Sequence, residues 1–372
     1  MTKAYFDNNA TTEVDPRILS RIHELYQSGP MNPGSPHSFG RKARQVVEDA
    51  KARIREALGL KRHRVLFLAS ATEALNLAIN AFEGQQIVAS SIEHPALEEA
   101  LLARSCSKRV GLIDRTQFDW KGLEKHLPQC QLAAFIWANN ETGLVLPMER
   151  IAESCRVTDT KILVDASQAP GKLEGFFEEV SALQPDAIVL SGHKMHAPVG
   201  IAALVLNEDF PIRPLLFGGS QQASLRPGTE PVVLADALAL ALELSQESAT
   251  YDQMRSWKHQ IWSAIGQVVP QATKTILDES QCLANTLHFR IPGLSAERQI
   301  IAFDLEGIAL SSSSACESGA SEPSRVLRAM GYDEVASSEG IRISLSRLTK
   351  PEEISIAINA IPRVYSTLAP KN

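Results

Sequence analysis

The chain has 372 residues, of which 44% are hydrophobic and 22% charged, with a formal net charge of -6. That length supports a large core and more than one folded unit, and the balance is ordinary for a soluble globular protein. It argues against a nucleic-acid-binding surface, which needs concentrated basic charge; the basic clusters Arg41 to Arg55 and Lys61 to Arg64 are local and read as solvated faces.

The opening MTKAYFDNNATT has no charged stretch followed by an apolar core, so no signal peptide is expected. No apolar run approaches the ~18 residues that span a bilayer. The best, Leu234 to Leu244, is interrupted by Asp236 and Glu243. The cysteines are Cys106, Cys130, Cys155, Cys282 and Cys316, an odd number with no C-x-x-C pair. A disulfide framework or a structural zinc site is therefore not expected, and a reducing cytoplasmic compartment is. No direct partner in nucleic acid or membrane is expected.

Short apolar runs alternate with amphipathic segments along the first half. Val65–Ala69, Ile87–Ala89, Arg109–Ile113, Leu132–Trp137, Ile162–Val164, Ala187–Leu190 and Ala202–Leu206 read as buried strands, with helical patterns such as Glu73–Phe82 and Ala96–Ala103 between them. This alternation predicts an α/β fold with a mostly parallel central sheet between helices. From Pro231 to Val269 the chain reads as mainly helical, and spaced strands then follow at Leu287–Ile291, Ile308–Ser312 and Ile341–Leu345. The expected division is a large domain over residues 12–248 and a smaller α+β domain over residues 249–372, with residues 1–11 packed on the latter.

Five motifs carry chemistry. Ser70-Ala71-Thr72-Glu73 follows a strand and opens a helix, a natural phosphate site, though also an ordinary helix cap. His94 follows the next strand; its imidazole could stack on a flat ring or serve as a structural residue. Asp165 ends another strand, where a buried carboxylate needs a cationic partner such as a pyridinium nitrogen, or caps a helix. Ser191-Gly192-His193-Lys194 follows a buried strand and places a lysine where α/β sheets put their ligands; such an amine can form a Schiff base with an aldehyde cofactor. Ser311 to Gly319, rich in Ser and Gly, carries Cys316 on what reads as an exposed loop, the setting of a reactive thiol. Cys130 and Cys155 read as core filler.

Taken in order, these motifs resemble the class V aminotransferase group of fold-type I pyridoxal phosphate (PLP) enzymes, and within it the cysteine desulfurases of the NifS/IscS kind. The resemblance runs from Tyr5-Phe6-Asp7-Asn8-Asn9-Ala10-Thr11-Thr12 through Asn32-Pro33-Gly34-Ser35-Pro36-His37, Ala71-Thr72-Glu73, Glu93-His94, Asn139-Asn140-Glu141-Thr142-Gly143, Asp165-Ala166-Ser167-Gln168 and Ser191-Gly192-His193-Lys194. It continues to Leu225-Arg226-Pro227-Gly228-Thr229-Glu230, Ser314-Ala315-Cys316 and Ile341-Arg342-Ile343-Ser344-Leu345. It implies that the large domain binds PLP and that the small one carries the Cys316 loop and Arg342. Lys194 would hold PLP and remove the substrate's α-proton, Asp165 would pair with the ring nitrogen, Gln168 with the ring hydroxyl, and His94 would stack on the ring and move protons. Ala71, Thr72, Ser191 and His193 would hold the phosphate, and Thr229 would reach the phosphate of a neighbouring subunit, which implies a homodimer. Arg342 would clamp the substrate carboxylate with help from Asn140, a task suited to a guanidinium.

The implied reaction converts L-cysteine to L-alanine and leaves its sulfur on Cys316 as a persulfide for a sulfur-acceptor protein in iron–sulfur cluster, thio-cofactor or thio-nucleoside synthesis. A PLP-dependent β-lyase acting on selenocysteine or cysteine derivatives, an aminotransferase of the same fold, and a silent relative that only binds partners are the alternatives. The chain departs from the family pattern at Gln222-Ala223-Ser224, where many members carry a Glu-Arg pair after Gly-Gly-x-Gln, and at Ala197-Pro198-Val199-Gly200.

Overall fold

The computed structural model describes residues 3–104, 107–247, 250–312 and 323–368. Among these residues, seven strands form a central sheet in the order Arg64–Leu68, Ala202–Leu206, Ala187–Ser191, Lys161–Asp165, Leu132–Ile136, Ile87–Ser90 and Ser107–Val110. Ala202–Leu206 runs antiparallel to both neighbours, and every other adjacent pair is parallel. The inner strands LAAFI, AIVLS and AALVL are buried along their whole length, as a sheet covered on both faces requires. Alternation sorts each strand between the two covers. Val65 and Phe67 pack with helices Ser38–Ala57 and Val232–Leu244, while Leu66 and Leu68 pack with Ala71–Asn80 and Pro95–Leu102.

The apolar run near residue 240 is the helix Val232–Leu244. Its buried Asp236 accepts hydrogen bonds from Arg21 Nε and Arg53 Nη1, each at 2.9 Å. Two guanidinium groups thus offset the desolvation of one carboxylate. Among the described residues no helix is long and apolar enough to cross a membrane.

A second, antiparallel sheet is ordered Thr273–Lys274, Thr286–Arg290, Gly340–Ser344, Ser311–Ser312. The N-terminal strand Ala4–Tyr5 pairs in parallel with Ile308–Ala309, and Ala4 and Phe6 share a core with Met254, Phe289, Ile341 and Val364. Two expected strands are divided. Ile308–Ser312 breaks at Leu310, so that its halves pair with different strands. Arg109–Ile113 breaks at Gly111: Ser107–Val110 closes the central sheet and Leu112–Ile113 forms a hairpin with Gln117–Phe118. In both runs the hydrogen-bond partner changes midway, which hydrophobic pattern does not encode.

The N-terminal segment then bridges the two sheets. Asn8 Nδ2 donates to Ser344 O at 2.8 Å and Asn9 N to Ser344 Oγ at 2.9 Å, while Thr12 N and Thr12 Oγ1 both donate to His193 O at 2.9 Å.

Candidate active site

The loops after five parallel strands of the central sheet open onto one cavity of about 250 Å³, small for a ligand pocket. Ser70, Ala71 and Thr72 follow the first strand in sequence, His94 the second, Asn140 the strand Leu132–Ile136, Asp165 ends its strand, and Ser191, His193 and Lys194 follow the last. Ligands in open α/β sheets bind outside strand carboxyl ends for this reason. Arg342 enters from the second sheet, and Asn9 and Gln168 complete the wall.

Each side chain has a local cause for its pose. Ser70 caps the helix Ala71–Asn80 by accepting from Glu73 N at 3.2 Å, and Glu73 Oε2 reaches back to Ala69 N at 2.7 Å. The helix N-terminus is thereby pointed at the cavity with its free N–H groups. His94 caps the helix Pro95–Leu102 through Nδ1, which accepts from Ala96 N at 3.1 Å. It is thus a structural cap and a cavity residue at once, with the neutral ring's proton on Nε2. Burial and the nearby Lys194 ammonium push its pKa down to about 4, so at neutral pH the ring is uncharged.

Asp165 caps no helix: the next one begins at Phe176, and Asp165 Oδ1 instead accepts from Ser167 N at 2.9 Å. Lys194 ends the short turn Gly192–Lys194. Gly192 is required there, since a Cβ would lie 2.8 Å from Ile201 O. Burial and the Arg342 charge lower the Lys194 pKa against the opposing pull of Asp165, which raises the fraction of free amine. His193 Nδ1 lies 3.1 Å from Thr11 Oγ1, and burial and Lys194 hold its pKa down to about 4.

The opposite wall is assembled from distant pieces of chain. Arg342 Nη2 binds Asp7 Oδ1 at 2.6 Å and its Nη1 donates to Asn140 O at 2.9 Å. Asn9 Nδ2 donates to Asn140 O at 3.1 Å and to Thr286 Oγ1 at 2.9 Å. Gln168 Nε2 donates to Asn9 O at 2.8 Å, and its Oε1 accepts from Lys172 Nζ at 2.6 Å.

Two further acids adjoin this site, Glu93 fully buried and Glu141 partly so. Glu93 accepts from Ser90 N, Ser90 Oγ and Ile136 N, and burial raises its pKa to about 8. Glu141 accepts from Ser324 Oγ at 2.5 Å, while Arg325 donates to the backbone carbonyls of Ser91 and Glu93. Lys172, Asn9, Glu141 and Arg325 received no role from sequence; Asn9 and Glu141 lie inside quoted motifs, whereas the bonds that define all four are non-local.

Thr229 is exposed and does not line the cavity, and Cys316 lies outside the described residues. At the departure from the family pattern, Gln222, Ala223 and Ser224 adopt φ of 48°, 57° and 62°. Gln222 Oε1 accepts from Phe67 N at 2.6 Å and its Nε2 donates to Phe67 O at 2.8 Å. The side-chain amide so replaces a neighbouring strand at the sheet's open edge, and its two bonds support the strained backbone. A larger groove of about 730 Å³, floored by Trp120 and Leu146, contains none of the candidate residues.

The donor set fits a phosphorylated pyridine aldehyde. A helix N-terminus with Thr72 suits a phosphate, a buried carboxylate suits a ring nitrogen, and a lysine with a lowered pKa suits an aldehyde. Ser167 Oγ and Arg342 Nε are buried with no partner, the kind of polar atom that a polar ligand satisfies.

The family model for class-V aminotransferases matches residues 4–356. The chain belongs to the class-V aminotransferase family. It is 33% identical to a cysteine desulfurase of Gluconacetobacter diazotrophicus over 99% of this chain and 94% of that protein. The cysteine desulfurase NifS of Azotobacter vinelandii is 32% identical over the same shares. Among solved structures, a NifS-like protein from Rickettsia africae superposes with a TM-score of 0.89 at 30% identity, covering 98% of this chain and 99% of that one.

Proposed function

We propose that this chain is a PLP-dependent cysteine desulfurase that converts L-cysteine to L-alanine. The observation that carries the reading is the convergence of Lys194, Asp165, His94 and Arg342 on a single cavity. PLP, when bound, supplies an electron sink that makes the substrate's α-proton acidic. Lys194 holds the cofactor through its amine and, once released, moves the α-proton; its lowered pKa suits both tasks. Asp165 would pair with the ring nitrogen and favour its protonated form, His94 would stack on the ring, and Gln168 would hydrogen-bond the ring hydroxyl. Ala71, Thr72, Ser191 and His193 would hold the phosphate. Arg342 takes the substrate carboxylate in competition with Asp7, its present partner, and Asn140 assists.

The Cys316 thiolate then takes the sulfur. The substrate's carbon–sulfur bond breaks, a carbon–hydrogen bond and a sulfur–sulfur bond form, and L-cysteine plus the Cys316 thiol become L-alanine plus a Cys316 persulfide. An acceptor protein in iron–sulfur cluster or thio-cofactor synthesis then removes the sulfur.

The proposal includes a homodimer in the cytoplasm, a large domain over residues 12–248, and a small domain over residues 1–11 and 249–372. Thr229 completes the partner's phosphate site. This is supported by its exposure and by the solvent-facing Leu216 and Phe217 beside it, the latter 90% exposed; a Cβ on Gly218 would meet Pro227 at 3.0 Å, so the two stretches adjoin. Patches of that kind mark association surfaces.

The test is alanine and sulfide production from L-cysteine by wild type beside Cys316→Ala. Wild type is expected to make both products, and the variant to keep the bound cofactor's visible absorbance while losing turnover. A fully active variant would shift the reading to a β-lyase or an aminotransferase.

A further inference from the structure

Lys172 is buried, with 4% of its surface exposed, on the turn after Gln168. Its Nζ lies 2.6 Å from Gln168 Oε1, 3.2 Å from Asn8 O and 3.3 Å from Asn9 Oδ1. These are three neutral oxygens and no carboxylate. Burial, together with the nearby Lys194 and Arg342 charges, drives its pKa well below the usual lysine range. An amine in such a place is costly, and an apolar side chain of the same length would fill the space without that cost. What the amine adds is polarity: as an ammonium it only donates, and as a neutral amine it still has two protons for the three oxygens around it. The two ends of the Gln168 amide are nearly isosteric, and either could point at the cavity. With Oε1 drawn to Lys172, Nε2 is turned toward Asn9, which itself lines the cavity, and one Nε2 proton goes to Asn9 O.

We infer that Lys172 is a positioning residue that fixes the Gln168 amide with its donor end toward the cavity, where the second Nε2 proton meets the oxygen of the cofactor's ring hydroxyl. The inference rests on the PLP reading above. It makes Gln168 a stabiliser of the deprotonated ring oxygen and gives Lys172 no contact with the cofactor itself.

The test is a pH titration of the visible absorbance of the PLP-loaded protein, with PLP affinity measured alongside. Lys172→Met is expected to raise the pH midpoint by about one unit, tenfold in proton affinity, because the ring oxygen loses an assured donor. PLP affinity should fall about tenfold. Gln168→Ala should shift the midpoint in the same direction. Adding Lys172→Met to Gln168→Ala should produce no further shift, since Lys172 acts through Gln168. Additive shifts, or an unmoved midpoint in Lys172→Met, overturn the inference. If Lys172→Met does not fold, Lys172→Gln is read in the same two backgrounds, with a shift expected only where Gln168 is present. A wild-type protein that gains no visible band with PLP overturns the cofactor reading and this inference together. A normal wild-type band with an unmoved variant overturns this inference alone.

Discussion

The two walls of the cavity are built by different means. On one, Ser70, His94, Asp165 and Lys194 each end or follow a single strand, held by a bond to a residue two or three positions away or by the turn itself. On the other, Arg342 and Asn9 are held by bonds between residues 131 to 335 positions apart, Arg342 to Asp7 and Asn9 to Asn140 among them, and Gln168 by Asn9 O, 159 positions away, together with its near neighbour Lys172. The first wall is finished once the central sheet forms. The second exists only when the N-terminal segment has been laid across both sheets. The first should therefore tolerate distant changes and fail by loss of chemistry, and the second should fail by loss of order.

The largest effect is expected from Lys194→Ala, which removes the chemistry of the first wall and leaves its scaffold. Turnover of L-cysteine should fall by at least about a thousandfold, within the range of a lost proton-transfer group. Borohydride reduction should no longer leave PLP on the chain, while the melting temperature stays near that of wild type. Turnover retained above about a hundredth would place the proton-moving group elsewhere. Arg342→Gln tests the second wall's chemistry. Losing a charge-assisted partner costs roughly 2–5 kcal/mol, so kcat/KM for L-cysteine should drop about a hundredfold, chiefly through KM. A drop confined to kcat would mean that Arg342 serves the chemical step and not the carboxylate.

This asymmetry also explains what was legible in the sequence. Period-two and unbroken apolar runs disclose strands, and strand ends disclose the residues that follow them, so the local pattern makes Asp165 and Lys194 candidates and the resemblance gives them their roles. Arg342 and Asn140 were singled out only through resemblance, because nothing within ten residues of either announces a clamp. Lys172 is hidden from such a reading: a lysine four residues after Gln168 reads as a surface residue, and its burial is decided by Asn8 and Asn9, more than 160 positions away. The division of Ile308–Ser312 at Leu310 has the same origin, since the N-terminal strand claims only its first half.

A stability pair sharpens the contrast. Asn9→Ala removes the side chain that joins Asn140 O, Thr286 Oγ1 and Asn285 Nδ2, and it leaves buried groups unpaired. At roughly 1–3 kcal/mol per buried group left unsatisfied, the variant should lose about 3 kcal/mol in chemical denaturation. Ser70→Ala removes one local cap and should cost about 1 kcal/mol. Equal losses would mean that the N-terminal segment is merely draped over the site.

The smallest effect concerns Glu141, which ties the Asn139-Asn140 turn to Ser324. Burial raises its pKa to about 7, against the pull of the Ser324 hydroxyl and of Arg342 and Arg325. The folded chain therefore keeps this proton between the ordinary carboxyl value of 4.5 and about 7, where the unfolded chain has lost it. By linkage, the stability this group contributes is complete below about pH 4.5 and is lost as pH rises through 7. Glu141→Gln cannot titrate, yet it keeps an oxygen for Ser324. The melting temperature of the variant relative to wild type should accordingly climb by a few degrees between pH 5 and pH 8. A difference that stays flat across that range would mean that Glu141 is already ionised at pH 5, with the two guanidinium groups outweighing its burial.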